Sequence, residues 1–491
     1  MGVFPISRRS CADCPLWRAH WIGRNRQRSS GDRRRNQLSV QVNRRERLFG
    51  TDGVRGVANR ELTPELAFAI GRAAAAILAE KSDLAHPVIV GRDTRVSGTM
   101  LEAAIVAGVT STGRNVIAVG IIPTPGVARI TSAIDAAAGV MISASHNPIE
   151  DNGIKIFGAD GFKLTDAEED AISALLDSKE LPRPTHLGVG MARASHGLID
   201  RYLASLLEAG TDLRGRTIVV DAAFGAAYEI GPYAFKRLGA NVIALHAEDD
   251  GSRINVDCGA TDLRPLRAAV RAHPGAVGVA FDGDADRALF VDEMGDTLSG
   301  DHVMLILGRE MHRAGGLPGA TVVGTVMSNA GLEYALKREG ISLERTPVGD
   351  RYVLERMREG AYRFGGEQSG HVIDLTRNTT GDGPLTAVTL FATAARNGST
   401  LHELARDLVS LPQVLVNVRV TTERDAIASR APVVAAIARA QNELSGIGRI
   451  LVRPSGTEPL IRVMLEGPDK AQIDRLAGAV AQAIEAEAAL A

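Results

Sequence analysis

Val277-Gly-Val-Ala-Phe281-Asp282-Gly-Asp284-Ala-Asp286-Arg287 is an apolar run of strand character that stops against three alternating carboxylates. Two other stretches are built the same way. Gly139-Val-Met-Ile-Ser143 runs into Ala144-Ser145-His146-Asn147-Pro148, and Ala361-Tyr-Arg-Phe364 runs into Gly365-Gly-Glu367-Gln368-Ser369-Gly-His371. Short apolar runs closed by turn residues read as buried strands. In open α/β sheets, ligands gather beyond the carboxyl ends of the strands. Three such ends facing one cleft would unite a hydroxyl, a carboxylate triplet and a polar Gly-rich loop. Together these are the parts of a phosphoryl-transfer site that no single unit contains.

Working outward, each loop closes a unit with the same rhythm. A first strand (88–90, 218–220, 321–323) is followed by a helical stretch (101–112, 228–238, 332–339) and a second strand (115–119, 241–245, 341–343). Asn-Val-Ile-Ala occurs in two of the second strands, at 115 and 241, which supports duplication. Strands alternating with helices predict βαβ units with mainly parallel pairing and right-handed crossovers. The last eighty or so residues differ. They read as a strand (414–421), a helix (432–443), two strands (450–452, 461–465) and a long Ala-rich helix (469–490), a compact α+β order. The expected fold is therefore three similar mixed α/β domains, each a sheet between helices, plus a smaller C-terminal α+β domain around one central cleft. The boundaries are placed at 47–186, 187–299, 300–411 and 412–491, after a disordered basic extension over 1–46. At 491 residues the length agrees, since domains of roughly 100–200 residues give three or four.

Composition narrows the class. An apolar fraction of 45% with 23% charged residues is that of a water-soluble globular protein. No apolar run approaches the roughly 20 residues of a membrane span. Three cysteines argue against a disulfide framework and fit a reducing cytoplasm. Cys258 reads as a packed thiol, and Cys11-Ala-Asp-Cys14 lacks the second ligand pair of a structural zinc site. Residues 1–47 hold twelve Arg against two Asp and one Glu, a net charge of +9 that leaves −11 on the rest. Such a segment can be a nucleic-acid-binding arm or a transit peptide. With no periodicity and no Met between Met1 and Met100, it reads best as disordered lead-in, the start codon placed too early.

The loops carry chemistry by residue type. Three carboxylates crowded at a strand end repel one another, by about 1 kcal/mol per pair at 4 Å in water and about 4 at an effective dielectric near 20. Hard oxygen donors at this density suit Mg²⁺ or Ca²⁺. An EF-hand is excluded although Glu293 falls at loop position twelve, because Arg287 stands where that loop needs Gly and a strand follows. Ser145 lacks the flanking glycines of a hydrolase nucleophile elbow and fits a phosphate carrier better. Lys155 on the next strand is a candidate cation or proton shuttle. Arg453-Pro-Ser455-Gly456-Thr457 offers a guanidinium, two hydroxyls and open backbone amides, a good phosphate cradle, with Arg462 a second cation. Glu367, Ser369 and His371 suit sugar hydroxyls. Phe49-Gly-Thr-Asp-Gly-Val-Arg55-Gly reads either as a tight turn with an exposed Arg55 or as a second anion contact.

Ser-x-Ser-His-Asn-Pro at 143–148, Asp-Gly-Asp-x-Asp-Arg at 282–287, Gly-Glu-x-Ser-Gly-His at 366–371 and Arg-x-Ser-Gly-Thr-Glu-Pro at 453–459 resemble the α-D-phosphohexomutase family, in that family's order. The resemblance runs from about residue 47 to the C-terminus. It implies a phosphoserine at Ser145 and one Mg²⁺ held by Ser145, Asp282, Asp284 and Asp286. It also implies a catalytic set of Ser145, Arg55, His146, Lys155 and His371. Substrate would be held by Arg287, Glu367, Ser369, Arg453, Ser455, Gly456, Thr457 and Arg462. Gln368, where mannose and glucose enzymes usually carry Met, leans towards the branch that interconverts glucosamine 6-phosphate and glucosamine 1-phosphate through a 1,6-bisphosphate, on the route to UDP-N-acetylglucosamine. A phosphomannomutase/phosphoglucomutase is the alternative, and a non-catalytic sugar-phosphate sensor a distant one. The implied partner is a hexosamine phosphate, with neither nucleic acid nor membrane, and related enzymes imply a homodimer. Asp221-Ala-Ala-Phe224-Gly and Gly251-Ser-Arg253-Ile-Asn255 depart from the family pattern, and both are expected to lie away from the four motifs.

Overall fold

The three units repeat one sheet. Their successive strands are Val88–Arg92, Val116–Ile121, Ala138–Ile142 and Asp151–Gly158; Thr217–Asp221, Asn241–Leu245, Val277–Phe281 and Ala288–Val291; Thr321–Thr325, Ser342–Thr346, Phe364–Gly366 and Val372–Asp374. Every unit has the order second–first–third–fourth. The first three strands are parallel and the fourth turns back antiparallel to the third. The structure, a computed structural model, describes residues 47–50, 52–79, 85–420, 423–444, 446–455 and 459–490. The basic segment 1–46 thus lies outside the described residues, as do Gly456 and Thr457.

The third strands are the ones that decided the sequence reading. Ala138–Ile142 and Val277–Phe281 are buried along their whole length. Strands covered on both faces need continuous apolar sequence, which is why these runs show no alternation. The antiparallel return of the fourth strand makes each chemical loop a tight reversal at the sheet's carboxyl edge. Serine, aspartate and Glu367 loops therefore occupy equivalent positions.

One boundary moves. Ala192–Ala194, past the expected limit at 186, pairs parallel with Val116–Ala118 and completes the first sheet, with Val54–Val57 at its other edge. The helices Gly98–Thr110, Ile230–Arg237 and Ala330–Arg338 sit within a few residues of their expected positions.

A single apolar core runs through the three units, from Ile89 and Met141 through Phe281 and Phe290 to Phe391. Phe290 of the second sheet meets Phe391 of helix Gly383–Arg396 edge-on, with ring centroids 5.8 Å apart. Burying such a side chain contributes about 1.5–3 kcal/mol, so the units are fused by packing rather than strung on linkers.

The C-terminal region has its own core, with Ile461, Val463 and Leu465 against Ile473, Val480 and Ile484. Its three strands, Gln413–Arg419, Arg449–Pro454 and Leu460–Glu466, are all antiparallel. It is tied to the third unit by polar contacts. Buried Glu466 accepts from the Ala330 amide at 3.1 Å, and Arg449 donates to the Ser328 carbonyl at 2.6 Å. Glu293, set aside as an EF-hand ligand, instead accepts from the amides of Leu401 and His402 at 3.0 and 3.2 Å, capping helix Leu401–Ala405.

Candidate active site

The serine loop is built around a strained residue. Ser145 has φ +54°, a left-handed conformation that costs a non-glycine residue about 1–3 kcal/mol. Three hydrogen bonds fix it. Ser143 Oγ accepts from the Ser145 amide at 2.9 Å, and the Ser145 carbonyl accepts from Arg95 Nη2 and Asn255 Nδ2, each at 2.9 Å. Arg95 is fully buried. It pairs with Asp93 at 3.0 Å and also donates to the carbonyls of Asn147, Pro148 and Asp151 at 2.8, 2.5 and 2.9 Å. A buried guanidinium is tolerable because its donors are paired this fully. One side chain thereby sets the shape of the whole loop.

Held so, Ser145 Oγ donates to Asp282 Oδ2 at 2.7 Å, and His146 Nδ1 lies 3.3 Å from the same hydroxyl. The aspartate loop can approach this closely because residue 283 is Gly: a Cβ there would stand 2.5 Å from the Ser145 carbonyl oxygen. Asp282, Asp284 and Asp286 are buried, and one oxygen from each lies within 4.8 Å of the others. Burial, then the charges of Asp286 and Asp284, push the Asp282 carboxyl up. Burial also opposes ionisation of Asp286, but Lys155, His371 and Arg287 outweigh it and hold that carboxyl well below its usual range. Asp284 Oδ1 and Asp286 Oδ1 are buried with no hydrogen-bond partner among the described residues. An all-oxygen, mutually repelling set with unpartnered acceptors fits a hard divalent cation such as Mg²⁺.

Around the triplet runs a ring of alternating charge. Lys155 is almost fully buried on the fourth strand, with Nζ 2.8 Å from Asp284, 2.9 Å from Asp52 and 3.5 Å from Asp286. Burial would lower its pKa, but these three carboxylates raise it well above the usual value. As placed, Lys155 is a fixed cation that holds its proton. Asp52 also pairs with Arg55 and, at 2.5 Å, with Lys163, which reaches Asp350 at 2.5 Å. His371 closes the ring, with Nδ1 3.6 Å from Asp286 and Nε2 3.7 Å from Asp350. Its Nε2 also accepts from the Gly381 amide at 3.2 Å. Burial opposes protonation of His371 while Asp286 and Asp350 favour it more, so its pKa is raised.

The third loop docks on the second. The Ala288 amide donates to the Gly370 carbonyl at 3.1 Å. Gly370 has φ +94°, and a Cβ there would come within 2.4 Å of the Ala288 carbonyl oxygen. Glu367 Oε1 is fixed by the Gly349 amide at 3.1 Å, whereas Ser369 Oγ is buried with no hydrogen-bond partner among the described residues. Arg287, next to the triplet, has Nε 3.8 Å from Asp286 and keeps about a quarter of its side chain exposed. Arg453 and Arg462 stand opposite each other across two strands of the C-terminal sheet. They line a separate cavity of about 110 Å³ with Met327 and Val348 of the third unit. Burial, then Arg462, lowers the Arg453 pKa. Ser455, at the strand end, is buried.

The structure thus gathers Ser145, His146, Arg55, Lys155, the three aspartates, Arg287 and His371 into one cluster, and places the Arg453 pair on the fourth domain. The sequence reading missed Asp93, Arg95, Asp52, Lys163, Asp350 and Thr124. Thr124 Oγ1 donates to Asp284 Oδ2 at 2.6 Å. The available signal was Arg92-Asp-Thr-Arg95, a charged stretch at the end of a first strand. One expectation is corrected. The departures in the second domain do not lie away from the motifs, because Asn255 holds the Ser145 carbonyl and Gly225 packs on the aspartate loop, where a Cβ would stand 2.4 Å from the Gly283 carbonyl oxygen.

Four models of one family match in sequence: the phosphoglucomutase/phosphomannomutase alpha/beta/alpha domains I, II and III at residues 46–183, 200–295 and 299–411, and the C-terminal domain at 415–483. The chain belongs to this family of phosphohexomutases. Within it, the chain is 52% identical over 444 residues to the phosphoglucosamine mutase of Symbiobacterium thermophilum, covering 90% of this chain and 99% of that one. It is also 52% identical to the phosphoglucosamine mutase of Mycobacterium marinum over 442 residues, with the same coverage. Among solved structures, a phosphoglucomutase/phosphomannomutase family protein from Burkholderia thailandensis superposes with a TM-score of 0.75 at 23% identity, covering 89% of this chain and 97% of that one. The N-acetylphosphoglucosamine mutase of Aspergillus fumigatus, in complex with GlcNAc-6P and magnesium, gives 0.62 at 20% identity, covering 89% and 95%. Both support the fold. Among the described residues, no helix is long and apolar enough to cross a membrane.

Proposed function

We propose that the chain interconverts glucosamine 6-phosphate and glucosamine 1-phosphate, with Ser145 as the phosphate carrier. The observation that carries this reading is the 2.7 Å contact between Ser145 Oγ and Asp282 inside a buried carboxylate triplet. A serine meant only as a turn residue has no reason to be strained, buried and aimed at three acids. In the forward direction the phosphoserine's Oγ–P bond breaks as the free sugar hydroxyl bonds to phosphorus, giving a sugar 1,6-bisphosphate. The bisphosphate turns over in the cleft, and its other phosphoryl group returns to Ser145 Oγ. Mg²⁺ bound by Asp282, Asp284, Asp286 and the phosphoserine would neutralise the phosphate and make its phosphorus electrophilic.

The chain's own residues do the rest. Loss of solvation in the cleft, then the charges of Arg287 and Arg55, push His146 down to about 4. Its imidazole is therefore neutral at pH 7, a polar neighbour of the reacting oxygen that adds no charge beside it. Lys155 and Arg55 stay cationic beside the transferring group. Fixed charges of this kind are the main catalytic resource in phosphoryl transfer. Glu367 and the unpartnered Ser369 hydroxyl face the sugar, while Arg453, Arg462 and Ser455, with Gly456 and Thr457, hold the phosphate that is not reacting. Gln368 stands between the two sugar-facing residues. The test is a coupled assay of kcat/KM on glucosamine, glucose and mannose phosphates. A preference for glucosamine phosphate of at least about tenfold, roughly 1.4 kcal/mol, is expected. Equal or reversed preference would assign the chain to the phosphomannomutase/phosphoglucomutase reading.

A further inference from the structure

Away from the triplet, three side chains of different chemistry converge at the carboxyl edge of the second sheet. Asp221 ends the strand Thr217–Asp221, His246 follows the strand Asn241–Leu245, and Cys258 comes from the loop beyond. One ligand atom from each lies within 4.8 Å of the other two. Asp221 is completely buried; its Oδ1 accepts from the Ala223 amide at 3.0 Å, while its Oδ2 has no hydrogen-bond partner among the described residues. His246 Nδ1 is buried and faces Asp221 Oδ1 at 3.0 Å, an ion-pair contact and not an aligned hydrogen bond. The imidazole is steered by Phe224, whose ring centroid is 5.0 Å away. Cys258 is buried and in no disulfide. An orphaned carboxylate oxygen beside an imidazole nitrogen and a thiol, all mutually close, leaves a desolvated acceptor uncompensated.

We propose that Asp221, His246 and Cys258 form a transition-metal site, separate from the aspartate triplet, that takes Zn²⁺. A sulfur–nitrogen–oxygen set is borderline-soft and selects Zn²⁺ or Co²⁺, whereas Mg²⁺ keeps to oxygen donors. On binding, the Cys258 thiol gives its proton to solvent as the metal–sulfur bond forms. The His246 nitrogen and the Asp221 oxygen contribute lone pairs to the metal. The consequence reaches the active site through the chain. The Asn255 amide donates to the Ala223 carbonyl at 3.1 Å, and the Asn255 side chain holds the Ser145 carbonyl. Tying Cys258 to Asp221 therefore braces the segment that positions the serine loop.

The test is a Co²⁺ titration of the full chain carrying Cys11→Ser and Cys14→Ser, which leaves Cys258 as its one cysteine, in excess Mg²⁺. One equivalent of Co²⁺ should produce the near-ultraviolet thiolate-to-cobalt charge-transfer band, and Zn²⁺ should erase it. The band should vanish in Cys258→Ser and persist in Asp284→Ala, since the triplet contains no sulfur. Even losing a group behind a ligand weakens metal sites about 10–100-fold. His246→Ala, at a partly exposed side chain, should accordingly weaken Co²⁺ binding by at least about tenfold, and this decides the matter if Cys258→Ser fails to fold. Absence of the band, or unchanged affinity in His246→Ala, overturns the site.

Discussion

Arg95 Nη2 donates to the carbonyl of Ser145 at 2.9 Å, from a guanidinium with no solvent exposure. The same group grips three more carbonyls of the loop, so the strained serine is held by a neighbour fifty residues earlier in the chain. Breaking a buried pair costs about 3–5 kcal/mol because the remaining charge is left uncompensated. Arg95→Ala should lose stability on that scale by denaturant unfolding. Arg95→Lys, which keeps the charge for Asp93 but not the fork, should recover part of the stability while kcat stays at least about tenfold low. Wild-type kcat in Arg95→Lys would show that the loop shapes itself.

Asn255 gives a milder version of the same test. Its single hydrogen bond to the Ser145 carbonyl contributes about 1 kcal/mol, so Asn255→Ala should lower kcat about fivefold and leave KM nearly unchanged. A change confined to KM would mean that this residue acts on substrate rather than on the serine loop.

Asp284→Ala and chelation should produce matching losses, since each strips the site of the cation its carboxylates would hold. Added Mg²⁺ should restore the chelated wild type and not the variant. Full activity in excess EDTA would leave the triplet, with its two unpartnered oxygens, without a purpose.

A pH effect should come from the junction of the three units. Buried Asp382 accepts from Tyr202 Oη at 2.7 Å, from Asn378 Nδ2 at 2.8 Å and from the Leu385 amide at 2.9 Å, while Asn378 also donates to the Pro125 carbonyl at 3.2 Å. Burial, only partly offset by these donors, raises its carboxyl from 3.8 to about 6. The folded state therefore binds this proton more tightly than the unfolded state. The resulting stabilisation is present below the unfolded value and is lost as pH rises through about 6. At 1.36 kcal/mol per unit it amounts to at most about 3 kcal/mol. Asp382→Asn lacks the titration. The stability difference between wild type and variant should shift in favour of wild type as pH falls from 7 to 4, read from denaturant midpoints. A constant difference would refute the shift.

The parts of this account legible in the sequence share a physical cause. Strand runs such as Ala138–Ile142 announce themselves because burial on both faces demands unbroken apolar sequence. The aspartate triplet was legible because its ligands sit within five residues. The ring through Asp52, Lys163 and Asp350 was not, since its pairs are 111 and 187 residues apart and each member looks like a surface charge. Asn255 was misjudged for the same reason: a residue's sequence distance from a motif says nothing about which loop it folds against.

The most direct test of the central claim is turnover of Ser145→Ala on glucosamine 6-phosphate in the coupled assay, beside wild type at saturating Mg²⁺. Removing the covalent carrier should cost several orders of magnitude in kcat, because Ser145 Oγ is the hydroxyl that holds the phosphoryl group between the two transfers. Loss on that scale in a folded variant is the predicted result, and near-wild-type turnover would contradict the assignment of Ser145.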